Sequence, residues 1–239
     1  MQVVGYRPLD PSLRVASDDV VEALPLTPGT DLAFRLGERH CAGTVQNGRH
    51  APCSNPGAPY CPTHTVPWSV ASNADSEEEH AVYLAAFAPA TFKVGVTRSW
   101  RLPTRLEEQG ADRAAHVHTV SDGRVAREVE ADIAREVGDQ VRVATKLAGL
   151  HRAVDDGAWE ALLADFRVIE RFDFDYGFDL SGRPVAETML TGRVVGTKGR
   201  LLVLEREGTV YAVDLRDLVG YDLREGPDDR ARQASLTSF

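Results

Sequence analysis

The sequence predicts an α+β fold in three parts, and three patterns along the chain support that prediction. Short alternating strands with turn residues fill residues 1–79, mixed strands and helices fill residues 80–150, and a helix followed by glycine-punctuated strands fills residues 151–239. A chain of 239 residues is longer than most single domains need, so we expect several modules. A hydrophobic content of 43% is ordinary for a globular protein and is enough to build a core.

The N-terminal part, residues 1–79, is predicted to be a β segment that leads into an irregular loop. Residues 31–36 alternate polar and apolar side chains, as a half-buried strand does. Residues 41–67 are rich in Gly, Pro, Asn and His and carry few core-forming side chains, so this stretch needs another means of stabilisation. Residues 68–79 end in three glutamates and have the composition of a polar linker.

The three cysteines all lie between positions 41 and 61, and this clustering predicts a metal site. No secretory signal or long apolar run is recognisable, so we expect a cytoplasmic protein, in which clustered cysteines are typical of metal binding. Thiolates and imidazole suit zinc, and four protein ligands leave no open position. We therefore predict a structural zinc ion held by Cys41, Cys53, Cys61 and His64. His40 and His50 are alternatives for the fourth ligand.

The middle part, residues 80–150, is predicted to be a small three-stranded sheet with helices. The predicted strands are 80–87, 91–96 and 116–120, and the predicted helices are 103–109, 124–137 and 141–150. His116 and His118 alternate on the third strand, so we expect both side chains on one face and treat them as surface residues.

The C-terminal part, residues 151–239, is predicted to contain one helix and a small β-barrel-like unit. The helix covers residues 156–166, and the strands lie between 185 and 224. Gly196, Lys198 and Gly199 are expected to shape a tight turn in this unit. The residues after Gly226 are polar, and we expect a frayed tail.

Part of the middle module resembles the GIY-YIG nuclease superfamily. Ala81-Val82-Tyr83 and Lys93-Val94-Gly95 stand where that superfamily has its two strand tripeptides, with Arg105 and Glu130 following. The resemblance implies that Tyr83 activates water or orients its attack on a phosphodiester, that Arg105 holds the phosphate, and that Glu130 binds a single Mg²⁺.

The chain departs from the GIY-YIG pattern at two positions that bear on catalysis. Ala81 stands in place of a glycine, and Lys93 stands in place of a tyrosine. Lysine at neutral pH mostly cannot act as a base. Two alternatives also stay open, Arg101 for the phosphate-holding arginine and Glu128 for the metal-binding glutamate.

A second resemblance covers more of the chain, roughly residues 30–224. Residues 93–98, 103–105 and 109–111, together with Gly196-Thr197-Lys198-Gly199 and Gly220-Tyr221, are similar to the domain-of-unknown-function family 2797. That family also has a Cys-rich segment ahead of a GIY-YIG-like part. No activity of the family is established, so the resemblance implies a fold and no reaction.

The charge pattern separates three hypotheses about function. The net charge of −9 argues against a generally basic nucleic-acid-coating surface, but residues 93–105 contain four basic residues and no acidic one. We therefore expect a zinc-containing nucleic-acid-binding protein with a degenerate or specialised nuclease-like core, in which Lys93, Arg98 and Arg101 contact the nucleic acid. The alternatives are a non-catalytic interaction protein and an active Mg²⁺-dependent phosphodiesterase acting on DNA or RNA.

Overall fold

The computed structural model describes residues 1–65, 77–226 and 228. The chain divides into two compact units, one formed by residues 1–66 together with 184–239 and the other by residues 67–183. Most of the predicted linker, residues 68–76, lies outside the described residues, as does the predicted tail apart from Asp228. In the described part of the chain, no helix has the length and apolar character needed to cross a membrane.

The first unit begins with six strands, five of which form antiparallel pairs with one another. They are β1 (Gln2–Arg7), β2 (Ser12–Ser17), β3 (Val20–Pro25), β4 (Asp31–Arg39), β5 (Thr44–Gln46) and β6 (Arg49–Ala51). The predicted alternation over residues 31–36 lies within β4, where Leu32 and Leu36 are buried and their neighbours are more exposed. The irregular stretch that follows Ala51 carries most of the Cys/His residues.

The second unit contains a sheet of four strands, one more than the sequence predicts. Its elements are β7 (His80–Phe87), β8 (Thr91–Arg98), a single 3₁₀ turn (Ser99–Arg101), α1 (Leu102–Gln109), β9 (Arg113–Val120), α2 (Gly123–Val137), α3 (Val143–Gly149), α4 (Asp156–Leu163) and β10 (Glu170–Asp173). The strand order is β10-β9-β7-β8. The prediction missed β10 because its four residues are mostly exposed and gain their partner, β9, only through tertiary pairing.

The central strand β7 is buried along its whole length and separates two apolar clusters. On one face, Val82 and Leu84 pack with the apolar side of α2 and with α4. On the other face, Tyr83 packs with Leu102 and Leu106 of α1. Local signals fix the helices: Asp122 caps α2 by accepting a hydrogen bond from the Val125 N–H, and α1 ends at a left-handed glycine.

The chain then returns to the first unit and completes its sheet. The closing elements are β11 (Val185–Ala186), β12 (Leu190–Lys198), β13 (Leu201–Arg206), β14 (Thr209–Asp214), α5 (Leu215–Leu218) and β15 (Tyr221–Glu225). The strand order is β11-β14-β13-β12-β4-β15-β1-β2-β3-β6-β5. In this order β4 pairs with β12 and β15, and β15 pairs with β1.

The two compact units therefore differ from the predicted division into 1–79, 80–150 and 151–239. The N-terminal β segment and the C-terminal β unit share one sheet and one apolar core. The α4 helix and β10 belong with the middle module because they pack on its sheet. Patterns along the sequence report local structure, whereas these groupings depend on strand pairs about 180 residues apart, such as Tyr221 with Arg39.

Candidate functional site

Four residues of the first unit bring their ligand atoms together after the ends of two strands. Cys41 follows β4, Cys53 follows β6, and Cys61 and His64 lie in the irregular stretch beyond. One ligand atom from each of the four lies within 4.8 Å of all the others. We call this group the Cys₃His cluster. It is the set predicted from the sequence, and it can hold a metal ion such as zinc.

A single tight turn delivers two of the four ligands. The backbone N–H groups of His64 and Thr65 both donate to the Cys61 carbonyl at 2.9 Å. This turn places His64 Nδ1 at 3.2 Å from Cys61 Sγ and 3.3 Å from Cys41 Sγ. The short Cys-x-x-His spacing therefore brings the Cys61 sulfur and the His64 imidazole to the same site, as the sequence predicts.

Two backbone N–H groups of the loop donate to the Cys41 sulfur. The N–H groups of Cys61 and Gly43 lie 3.3 and 3.4 Å from Cys41 Sγ. Gly43 has a φ of 62°, and a Cβ at this position would lie 2.1 Å from the Ala51 carbonyl oxygen. Only glycine fits this close approach, so the residue two positions after Cys41 is constrained by the path of the loop.

The electrostatics of the Cys₃His cluster favour a bound cation. Burial raises the pKa of Cys61, but hydrogen bonds from the His64 backbone and side chain and from Cys41 lower it to about 6. The Asn55 backbone lowers the pKa of Cys53, yet burial and the Cys41 and Cys61 sulfurs raise it overall. A negative charge on one sulfur thus disfavours ionisation of the neighbouring sulfurs. A divalent cation removes that competition and allows all three to ionise.

The two alternative histidines lie outside the cluster and have other hydrogen-bond partners. His40 Nδ1 lies 2.9 Å from the Cys53 carbonyl, and its Nε2 lies 3.4 Å from Asp222 Oδ1. His50 Nε2 lies 2.9 Å from the Ala42 carbonyl. Since both carbonyls belong to the loop that carries the cysteines, these histidines support the ligands without joining them.

In the second unit, Tyr83 lies across a glycine of the neighbouring strand. Tyr83 on β7 is directly opposite Gly95 on β8, and a Cβ on Gly95 would lie 2.5 Å from the tyrosine oxygen and 2.6 Å from Cζ. The Tyr83 hydroxyl accepts a hydrogen bond of 2.6 Å from Gln109 Nε2. Only 1% of Tyr83 is exposed. The glycine of the Lys93-Val94-Gly95 tripeptide therefore makes room for the tyrosine of the other tripeptide.

Two charged residues of other elements, Arg105 and Glu130, influence Tyr83 electrostatically, and both also influence a third, Lys93. Lys93 lies two residues before Gly95 and so shares its face of β8, Arg105 lies on α1, and Glu130 lies on α2. Burial raises the pKa of Tyr83, Arg105 lowers it and Glu130 raises it further. Burial and then Arg105 lower the pKa of Lys93, whereas Glu130 and Asp139 raise it. We call Tyr83, Lys93, Arg105 and Glu130 the Tyr83 cluster.

The predicted arginine and glutamate both influence Tyr83 electrostatically, since Arg105 lowers its pKa and Glu130 raises it. Glu130 is paired with Arg127 at 2.7 Å, and its side chain is 14% exposed. Glu128 is exposed on the same helix.

The basic stretch 93–105 is partly neutralised by carboxylates that lie outside it in sequence. Arg98 pairs with Glu78 at 2.6 Å. Arg101 and Arg105 both pair with one carboxylate, Glu108, at 3.1 and 3.4 Å. Two arginines sharing one glutamate leave a surplus of positive charge at this end of α1.

Sequence reasoning missed Gln109, which holds the Tyr83 hydroxyl. Its position four residues after Arg105 on the same helix face was the available signal. The expectation that the two histidines of β9 share one face was wrong, because an irregularity in strand register places His116 opposite Tyr83 and His118 opposite Val82. His118 is exposed, as expected. Adjacent residues of β7 face opposite sides, so the histidines do too, and His116 is buried.

Comparison with known proteins finds similarity to one family. A family model described as "Protein of unknown function (DUF2797)" matches residues 68–174, which supports the middle part of the second resemblance seen in the sequence. The match includes all of the Tyr83 cluster and none of the Cys₃His cluster. Searches of curated proteins and of solved structures found no match. The comparisons give no support to the GIY-YIG resemblance.

Proposed function

We propose that the second unit binds the phosphate backbone of nucleic acid at the Tyr83 cluster, and that the Cys₃His cluster holds a structural zinc ion. The first proposal rests on two observations: Arg105 and Glu130 influence both Tyr83 and Lys93 electrostatically, and Arg105 shares its carboxylate partner Glu108 with Arg101. In a chain with a net charge of −9, nucleic-acid binding requires such a concentrated local site.

The two cations of the cluster favour an anionic ligand. Arg105 lowers the pKa of Lys93, which means that the two positive charges repel each other. The carboxylate partner of Arg105, Glu108, is shared with Arg101. A phosphate oxygen beside Lys93 and Arg105 relieves the repulsion and accepts hydrogen bonds from both side chains. Phosphodiesters supply such oxygens at regular intervals along a strand.

Burial of the tyrosine favours binding over cleavage. The Tyr83 hydroxyl is held by Gln109 under α1 and has a raised pKa, so it is poorly placed to activate a solvent water. Lys93 occupies the position at which the GIY-YIG pattern has its other tyrosine. The Tyr83 cluster therefore has two cations that can bind a phosphate, Lys93 and Arg105, but its one hydroxyl is not accessible to solvent.

A Mg²⁺-dependent phosphodiesterase is the second candidate, and one observation favours it. Glu130 acts on both Tyr83 and Lys93, so a hard oxygen ligand lies within the cluster. Magnesium-dependent cleavage of labelled DNA or RNA that stops with EDTA and with Glu130→Gln would establish this activity.

The binding proposal is tested by titrating labelled single-stranded and duplex DNA and RNA over a range of salt concentrations. Lys93→Gln and Arg105→Gln should weaken binding to all sequences and each lower the slope of log affinity against log salt by about one. Arg135→Gln is the matched control, since this α2 arginine is 77% exposed at its side chain and pairs only locally, with Asp132. Absence of binding at low salt would refute the proposal and favour a non-catalytic interaction protein.

The zinc proposal is tested by metal analysis of purified protein. We expect a single zinc ion per chain, lost in Cys61→Ser and retained in Thr63→Ala, which alters an exposed residue in the same turn. Four protein ligands fill a tetrahedral site, so the ion serves folding rather than catalysis. Zinc-free protein with an intact first unit would contradict this role.

A further inference from the structure

Trp100 projects into solvent beside the Tyr83 cluster. It lies in the 3₁₀ turn between β8 and α1 and is 68% exposed, the highest value among the large apolar side chains in the described part of the chain. By contrast, Trp159 in the same unit is 2% exposed and packs on Phe92 with ring centroids 5.6 Å apart. Exposing an indole forgoes the stabilisation that burial provides, so this position calls for an explanation.

The surroundings of Trp100 are cationic rather than apolar. The Arg101 guanidinium carbon lies 6.0 Å from the centroid of the indole ring. Arg98 and Arg105 flank the turn on either side in sequence, and the two apolar residues of α1, Leu102 and Leu106, are buried against the sheet. A protein partner would need further apolar contacts around the ring, whereas the residues on either side of Trp100 in the chain, Ser99 and Arg101, are polar.

Ion pairs and charge interactions link the surroundings of the indole to the Tyr83 cluster. Arg101, whose guanidinium lies near the ring, shares Glu108 with Arg105, and Arg105 influences the pKa values of Tyr83 and Lys93. Arg101 and Arg105 are four residues apart at the start of α1, which corresponds to about 6 Å along a helix. A strand with a phosphate at Arg105 therefore has a neighbouring base within reach of the indole.

We infer that Trp100 is a stacking platform for an unpaired nucleobase, so that the ligand of this unit is single-stranded or locally unpaired nucleic acid. This inference rests on the proposed function. The flat apolar face of a base matches the indole, and its attached phosphate matches the surrounding arginines. Bases inside a duplex already stack on both faces and are not available to the ring.

The experiment uses the full chain with Trp68→Phe as background, so that Trp100 and Trp159 are the remaining tryptophans. The probes are a single-stranded oligothymidylate, the same strand with abasic positions, and a blunt duplex. Binding of the single strand should quench the exposed Trp100 and leave the emission of the buried Trp159 unchanged. Trp100→Ala should weaken binding of the single strand roughly 5- to 150-fold, the range for loss of one base–aromatic stack.

Four comparisons separate this inference from the proposal on which it rests. Trp100→Phe should retain most of the affinity, and Ile169→Ala, which truncates another exposed apolar side chain of this unit, should have no effect. The abasic strand should bind wild type as weakly as the intact strand binds Trp100→Ala. If Lys93→Gln weakens binding but Trp100→Ala does not, or if Trp100→Ala weakens the duplex equally, base stacking is refuted while phosphate binding stands. If no probe binds at low salt, both the base-stacking inference and the phosphate-binding proposal are refuted.

Discussion

Replacing Gly95 with alanine would put a methyl group where the Tyr83 ring lies. The new Cβ would lie 2.5 Å from the tyrosine oxygen, 2.6 Å from Cζ and 3.0 Å from Cε2. Both residues are buried, so the ring has no free space into which it can move. Overpacking of this kind costs about 1–3 kcal/mol. Displacing the hydroxyl from Gln109 removes a hydrogen bond that contributes about 0.5–1.5 kcal/mol. We expect Gly95→Ala to destabilise the second unit by about 2–4 kcal/mol.

Urea denaturation followed by circular dichroism measures this loss, because α1 to α4 all lie in the second unit. Gly182→Ala is the matched control, since a Cβ at Gly182 meets no atom within 4 Å and its φ is not positive. Tyr83→Ala alone should cost about 3–5 kcal/mol through the cavity it leaves. Combining it with Gly95→Ala should cost less than the sum, since the methyl group then fills vacated space. Strict additivity, or a Gly95→Ala protein as stable as wild type, would refute the packing account.

Three further predictions concern other parts of the molecule. Chelation of zinc should abolish the cooperative unfolding of the first unit, whose Cys-rich loop has little core of its own, and should leave the helical signal of the second unit intact by circular dichroism. Nucleic-acid affinity should fall as pH rises from neutral toward about 10, because the lowered pKa of Lys93 makes it lose its charge earlier than an ordinary lysine; Lys93→Arg should remove this decline in a binding titration. Lys146→Met should cost the second unit about 1.5–3 kcal/mol in urea denaturation, because Lys146 Nζ donates to the Gln109 carbonyl at 2.7 Å and lies 4.2 Å from the Phe87 ring centroid. An unchanged midpoint for Lys146→Met, or an alkaline decline that persists in Lys93→Arg, would contradict these explanations.

Short-range features of the fold could be predicted from the sequence. The hairpin of β7 and β8 follows from two strand-forming runs on either side of the turn Ala88-Pro89-Ala90. The helix α2 follows from the four-residue spacing of valine and isoleucine. The metal-ligand set could also be predicted, because Cys61 and His64 belong to one turn and thiolates rarely cluster without a cation. These inferences needed only local geometry and the chemistry of the side chains.

Features that depend on tertiary contacts could not be predicted. The pairing of β4 with β12 and β15 leaves no local signature in any of the three strands. The basic stretch 93–105 contains no acid in sequence, yet Glu78 and Glu108 meet its arginines in space. The register irregularity beside His116, where Val117 is the extra residue of β9, becomes apparent only when β9 is paired with β7.

The order of strands in the first sheet has a consequence for synthesis on the ribosome. β15 lies between β4 and β1, and its Tyr221 pairs with Arg39 of β4. A further 182 residues must therefore be translated after Arg39 before β15 can pair with β4. At roughly 5–20 residues per second that delay is about 10–40 s. The second unit emerges complete during this interval and has time to fold. The nascent chain therefore carries a finished α+β unit while the β4 edge next to Cys41 remains unpaired and open to chaperones.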